Sequence, residues 1–295
     1  MTQKTETNMN SKNIAISIML NIAISVAQFI GGVISGSMAL ITDATHNFSD
    51  VLSLVISYIA NKLAKKSANF NHTFGYQRSE ILAAFINSIT LIVIAIIILI
   101  NSIELVLKPH KIDSIWVIYL AIASIFVNGF SVLLLKKDSK HNLNMKSAYI
   151  HLFSDMITSV GVLVGGIVMK YLEFYSIDAL FSILIAIYLL YMSWDIFKSS
   201  IKILMQFTPD SINIAEISNK IEQIKGIKNI HHIHIWQIND NDIIFDAHID
   251  LENDMRISDF EKILENITID LKAYNIFHIT IQPEFEYNDT KDKII

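Results

Sequence analysis

A chain of 295 residues that is 52% hydrophobic and only 17% charged is too apolar for an ordinary soluble enzyme, whose charged share runs near ~25%. The average hides two regions: residues 1–206 hold 15 Lys+Arg against 11 Asp+Glu, a net of +4, while residues 207–295 hold 8 against 17, a net of −9. Cysteine is absent, which excludes disulfides, thiolate metal sites and redox thiols, and no basic excess points to nucleic acid as a partner.

Six apolar stretches follow one another at about 12–34, 38–61, 80–107, 112–135, 147–169 and 176–197. Each is long enough to cross a hydrocarbon core, which takes roughly 20 residues as a helix. The first lacks the small-residue cleavage site of a signal peptide. It also carries Asn21 and Gln28, amides that suit a helix packed against others rather than facing lipid. Orientation follows from the basic residues of the connections. Lys4, Lys12, Lys62, Lys65, Lys66, Arg78, Lys136, Lys137, Lys140, Lys146, Lys198 and Lys202 fall on one side, and Lys108, Lys111 and Lys170 on the other. Both termini are therefore expected in the cytoplasm.

Past Pro209 the pattern changes to that of a small α+β domain. Ile214, Ile217, Ile221 and Ile224 have helical spacing over 211–226, ending at Gly226. Residues 227–238 and 243–251 alternate as strands about the polar turn Asn239–Asp242. A second amphipathic helix over 257–274 and a last strand over 277–285 complete an αββαβ order, with two helices covering one face of a three-stranded sheet. Residues 286–295 are polar and expected to fray. The expected architecture is a membrane all-α six-helix bundle, 1–206, followed by a ferredoxin-like α+β cytoplasmic domain, 207–295.

Ionisable residues inside spans are expensive and mark function by default. The second span contains His46-Asn47-Phe48-Ser49-Asp50 and the fifth His151-Leu152-Phe153-Ser154-Asp155. Each is His-x-x-x-Asp, and a spacing of i, i+4 puts imidazole and carboxylate on one helix face, a turn apart. A lone pair of this kind is more often a cap or an interface contact, but its recurrence in two spans is harder to dismiss. Two such helices face to face supply two nitrogens and two carboxylate oxygens, a set suited to a tetrahedral divalent cation such as zinc. Asp43, a turn earlier, is expected at the helix entrance near the membrane surface. Glu104, Asp178 and Asp195 lie near span ends, where boundary exposure or helix pairing is the expected role.

The segment Ser37-Met38-Ala39-Leu40-Ile41-Thr42-Asp43-Ala44-Thr45-His46-Asn47-Phe48-Ser49-Asp50 resembles the second-helix signature of the cation diffusion facilitator family of metal transporters. His72-Thr73-Phe74-Gly75-Tyr76-Gln77-Arg78-Ser79-Glu80 is similar to that family's entry to the third helix, and His151 to Asp155 with Ser159-Val160-Gly161-Val162 to its fifth. Ile230-His231-His232-Ile233-His234-Ile235-Trp236 and Thr280-Ile281-Gln282-Pro283-Glu284 resemble its cytoplasmic domain. The likeness covers nearly the whole chain in order.

The resemblance implies a homodimeric exporter of zinc or a similar ion, driven by counter-transported protons, with His46, Asp50, His151 and Asp155 as the transport site. Histidine in both motifs resembles the zinc, cadmium and cobalt branch. The family's second site, in the 2–3 connection, is not expected to be strong here, because Asn69, His72 and Tyr76 stand there. The histidine-rich loop of some members is absent between spans four and five, which holds only His141. In the tail, His231, His248 and Glu284 match metal-binding positions of relatives, with His278 or His232 as candidate additional ligands. Strand alternation sends His231 with Ile233 and Ile235, and His232, His234 and Trp236 the other way. Zinc is thus expected as cargo and as a regulatory ligand of the tail, with no organic cofactor.

The chemistry of the ligands agrees with exchange. They bind metal only with neutral imidazoles and ionised carboxylates, and histidine titrates near neutral pH, making His46 and His151 the expected proton carriers. The tail's net of −9 repels a second copy, and bound dications would relieve that repulsion. Two other classes compete. An integral-membrane zinc hydrolase needs an open coordination position, whereas this set fills four and no HExxH is present. A membrane metal-sensing receptor would leave the intramembrane ligands idle. With only a short polar stretch before the first span, the expected location is a bacterial cytoplasmic membrane.

Overall fold

The computed structural model describes the backbone of residues 2–136, 143–288 and 290–294, and the side chains of 16–136, 149–288 and 290–294. Lys137, Lys140 and His141 lie outside the described residues, as do the side chains of Lys4, Lys12 and Lys146 that entered the orientation argument. Contacts divide the chain into two compact units. One comprises Met1–Ile56 with Asn87–Asp195, the other Ser57–Ile86 with Ile196–Ile295.

Six long helices come first: α1 (Thr2–Ser35), α2 (Met38–Ala64), α3 (Ser79–Leu107), α4 (Ser114–Leu135), α5 (Leu143–Leu172) and α6 (Ser176–Leu204). Five of them, all but α2, are long and apolar enough to cross a membrane. The exception carries Asp43, His46, Asp50 and Lys62, and these four side chains lower its apolarity.

The first unit is built inside out. Along α1, Ser17, Asn21, Ser25 and Gln28 recur every three or four residues and are buried, while Met19, Ile30, Val33 and Ile34 are exposed. In α4, Ser124, Asn128 and Ser131 are buried and Phe126, Phe130 and Leu133 exposed. Small and polar side chains inside with apolar ones outside is the pattern of helices that associate in lipid. The placement of Asn21 and Gln28 against neighbouring helices is as expected. The α1–α2 connection is short because Gly36 adopts φ +74°, which glycine reaches without strain. A Cβ there would also meet His110 Nε2 at 2.9 Å.

Asp178 of α6 is fully buried, which decides between the two roles expected for it: it pairs helices. It accepts from Ser37 Oγ at 2.5 Å and from Ala39 N–H at 3.1 Å, capping the orphan amides of α2's first turn. Asp43 corrects an expectation. It is 1% exposed rather than at a surface, and Gln28 Nε2 donates to its Oδ2 at 2.6 Å. The buried carboxylate persists there because α1 and α5 bring it donors.

In the second unit the joined ends of α2, α3 and α6 are tied by Asn61 Nδ2 donating to Glu80 Oε1 at 2.6 Å and by stacking of Phe85 on Phe197. The tail then follows the expected order, with α7 (Ile214–Glu222), β1 (Ile227–Gln237), β2 (Ile243–Leu251), α8 (Ile257–Lys272) and β3 (Ile276–Glu284). Helix α7 is shorter than its apolar spacing indicated, because Asn213 accepts from the amides of Ala215 and Glu216 and sets its start. The sheet order is β1-β2-β3, with β1 antiparallel and β3 parallel to β2. Ile217 and Ile221 of α7 and Phe260, Ile267 and Leu271 of α8 bury one sheet face with Ile230, Ile233, Ile235, Phe245, Ala247 and Ile249.

The other face breaks strict alternation. The β1–β2 register shifts between His231 and His234, and His232 sits at φ +50°, so β1 carries a bulge. Consequently His231 does not follow Ile233 and Ile235. It pairs with His248 across from the apolar core, and His232 turns to the same side, its Nδ1 3.3 Å from that of His248. The frayed end also needs correction: His232 N–H donates to Asp292 O at 3.1 Å and Ile233 N–H to Lys293 O at 2.9 Å, docking 290–294 beside β1.

Candidate metal centres

In the first unit the i, i+4 spacing of α2 and of α5 brings the four expected ligands together. His46 Nε2 lies 3.6 Å from Asp50 Oδ2 and 3.8 Å from Asp155 Oδ1, and His151 Nε2 lies 3.1 Å from Asp50 Oδ2 and 3.6 Å from Asp155 Oδ2. Each imidazole thus spans both carboxylates, one from its own helix and one from the other. Asp155 is 3% exposed and His46 16%, while His151 is 43% exposed and opens the ring to one side. Asp50 Oδ2, Asp155 Oδ2 and His46 Nδ1 are buried with no well-directed hydrogen bond among the described residues. Buried carboxylate oxygens such as those of Asp50 and Asp155 are costly unless a cation or proton takes them.

Behind the ring runs a polar seam absent from the expected site. Ser159 Oγ donates to Asp155 O at 3.0 Å, shares a hydrogen at 2.8 Å with Ser124 Oγ, and bonds the Asp43 side chain. Asn128 Nδ2 donates to Ser124 Oγ at 3.4 Å. The seam braces the turn of α5 that holds Asp155. Its signal in the sequence was the burial-prone spacing of Ser124 and Asn128, one turn apart within an apolar span.

The 2–3 connection is different. His72 stacks on Tyr76, with centroids 4.5 Å apart, and its Nδ1 is 3.2 Å from Asn69 Oδ1, so an aromatic and an amide engage the histidine.

In the tail, the expected ligands His231, His248 and Glu284 converge. Glu284 Oε2 is 3.2 Å from His231 Nε2, and Oε1 is 2.8 Å from His248 Nδ1. His231, Asp250 and Glu284 are all buried, and their ligating atoms lie within 4.8 Å of one another, as do those of His231, His232 and His248. His232 joins the cluster through the bulge. His278 does not: it pairs with Ile244, away from the His248–Gln282 register, and meets Phe74 edge-on. Asp250 was missed, though period-two alternation places it two residues from His248 on the same face. Lys291 was also missed. Its Nζ donates to Asp250 Oδ1 and Glu284 Oε2 at 3.0 Å each and lies 3.4 Å from His231 Nε2. An ammonium seated among these atoms is a stand-in cation, so the donor set fits a metal.

A family profile described as the cation efflux transmembrane domain matches residues 14–205, a span that contains the four-ligand ring. A second, the cytoplasmic domain of cation efflux proteins, matches 209–286, which contains the tail cluster. This chain is a cation efflux transporter. The transporter is 37% identical to the cadmium, cobalt and zinc/H(+)-K(+) antiporter of Bacillus subtilis, over 97% of this chain and 93% of the other. It is 32% identical to the metal cation efflux system protein CzcD of Cupriavidus metallidurans, over 93% and 87%. It is also 32% identical to the zinc transporter ZitB of Pectobacterium atrosepticum, over 95% and 87%. It belongs to the zinc, cadmium and cobalt branch of the cation diffusion facilitator family and is a membrane transporter rather than an enzyme.

Proposed function

We propose that the transporter exports Zn2+, with Cd2+ and Co2+ as further cargo, in exchange for protons. The observation that carries this reading is the ring of His46, Asp50, His151 and Asp155, in which each imidazole contacts both carboxylates. Two carboxylates balance the charge of one dication, and two imidazole nitrogens complete a four-coordinate set that favours zinc. Neutral imidazoles bind metal and protonated ones release it, so proton entry from the far side unloads the ring. Moving one charge through 100 mV is worth about 2.3 kcal/mol, and an inbound proton offsets part of the outward cost of a dication. Alternating access follows from rocking of helices about the ring.

In this reading six helices span the membrane, with α2 as the sixth, both termini are cytoplasmic, and residues 1–206 transport while 207–295 form a ferredoxin-like regulatory domain. The protein works as a homodimer. The tail cluster of His231, His248 and Glu284, with Asp250, takes a regulatory metal. Positive charge there lowers the repulsion between two acidic tails. Purified protein in proteoliposomes tests the transport reading: zinc should move when a pH gradient is imposed and stop when it is collapsed. Zinc flux indifferent to the gradient would reject proton exchange, and no flux of zinc, cadmium or cobalt would reject the reading as a whole.

A further inference from the structure

The tail cluster already holds a cation, and that cation is part of the chain. Asp250 and Glu284 are buried acidic side chains, 9% and 3% exposed, and each accepts from Lys291 Nζ at 3.0 Å. His231 Nδ1 faces Asn229 Oδ1 at 3.0 Å. Its Nε2 lies 3.4 Å from the same ammonium and 3.2 Å from Glu284 Oε2. Lysine carries three N–H donors and no acceptor, and three side chains converge on this one. The lysine comes from a segment fastened immediately after it. Asp292 O and Lys293 O accept from the β1 edge at His232 and Ile233. Lys293 Nζ donates to Ser218 Oγ at 2.9 Å and pairs with Glu222 at 3.1 Å.

We propose that Lys291 is a built-in competitor for metal, and that a dication enters the tail cluster only as the ammonium leaves and the strap 290–294 lifts from β1. The inference rests on the reading that this cluster binds metal. The ammonium and the metal need the same side-chain atoms of His231, Asp250 and Glu284, and two cations cannot share them at 3 Å without strong repulsion. An apparent affinity falls by the fraction of molecules in the competent state, so a strap that is mostly docked raises the metal concentration at which the tail responds. The strap's departure uncovers the amides of His232 and Ile233, which converts metal occupancy into a change of surface.

The test uses the full chain in detergent, carrying Asp50→Asn and Asp155→Asn so that added zinc reports the tail. Zinc affinity is measured by competition with a chromogenic chelator for this protein and for the same protein with Lys291→Met, a change that keeps stem length and removes charge. Removal of the ammonium should tighten zinc binding about tenfold. In parallel, Ile294→Cys places a spin label at a single position, because the chain has no cysteine of its own. Zinc should raise the label's mobility when Lys291 is present, and Lys291→Met should raise it without zinc. Equal zinc affinity with and without the ammonium, or a label indifferent to zinc, overturns the competition while leaving the cluster a metal site. Absence of tail zinc binding in both proteins overturns the cluster reading and the inference together.

Discussion

The two centres use the same donor groups on different scaffolds, and the scaffolds set what each can do. In the ring, every candidate ligand sits on a helix, paired at i, i+4, and its contacts close pairwise at 3.1 to 3.8 Å. In the tail, the candidate ligands sit on all three strands, His231 opposite His248 and Asp250 opposite Glu284, and two overlapping groups of three converge within 4.8 Å. A helix pair can shift by small rotations and loosen all four contacts at once, which suits release of cargo. A hydrogen-bonded sheet cannot relax in that way without breaking its ladder, which suits retention. Charge compensation differs as well. Asp50 and Asp155 in the ring face imidazoles, whereas in the tail Asp250 and Glu284 share the Lys291 ammonium, with Glu284 also against His231 and His248.

The sharpest way to break the comparison is to remove one ligand from each centre. His151→Ala or Asp155→Ala should abolish gradient-driven zinc flux in proteoliposomes, a loss on the order of 100-fold or more, exceeding the effect of losing an outer-shell partner. Glu284→Gln should leave flux measurable and weaken zinc binding by the tail. If Glu284→Gln silenced flux as completely as His151→Ala, the division between a moving and a holding centre would fall.

Next in size is the tail's rigidity. Phe245 is fully buried at the centre of its core, and Phe245→Ala should destabilise the tail by about 3–5 kcal/mol. Chemical denaturation followed by circular dichroism in the full chain would measure it, and a change under about 1 kcal/mol would show a core too loose to hold a site. On the ring's side, Gln28→Leu deprives Asp43 of its 2.6 Å donor and should cost about 1–3 kcal/mol in detergent-solubilised protein, read by thermal unfolding.

Smallest is an exposed pair. The Tyr274 hydroxyl, and after it Lys220, holds the Glu216 carboxyl below its usual range. A carboxyl lowered on folding adds stability above its unfolded value and loses it as pH falls through the folded one. Tyr274→Phe should let Glu216 titrate closer to its ordinary value by NMR, with little change in stability, because the group is exposed.

What could be read in advance followed local periodicity. The ring was legible because i, i+4 is a property of one helix, and the sequence states it twice. The sheet and its two helices were legible for the same reason. His232 stood only as an alternative to His278, and on the face opposite His231, since a bulge at φ +50° with a non-glycine residue leaves no local mark and shifts all later residues of β1 by one face. Asp250 follows from period two, but a lone carboxylate on a strand looks the same in sequence as a solvated surface acid. Lys291 and Asp43 depend on partners 41 and 15 residues away, and a polar residue near an element's end looks the same whether it meets water or a buried partner.

The cap that Asp178 places on α2 also bears on the order of assembly. Ser37 and Ala39 wait for a carboxylate 141 and 139 residues further along the chain. During synthesis α2, with half of the ring's residues, is made before the Asp178 carboxylate exists: Ser37 Oγ meets the Leu40 amide locally at 3.2 Å, and the Ala39 amide is left without this acceptor. The turn gains its partner only when α6 follows. Completion of the sixth helix is therefore the event that locks the second in place, and a chain halted before residue 178 would carry the ring's residues without the anchor that seats one of its two walls.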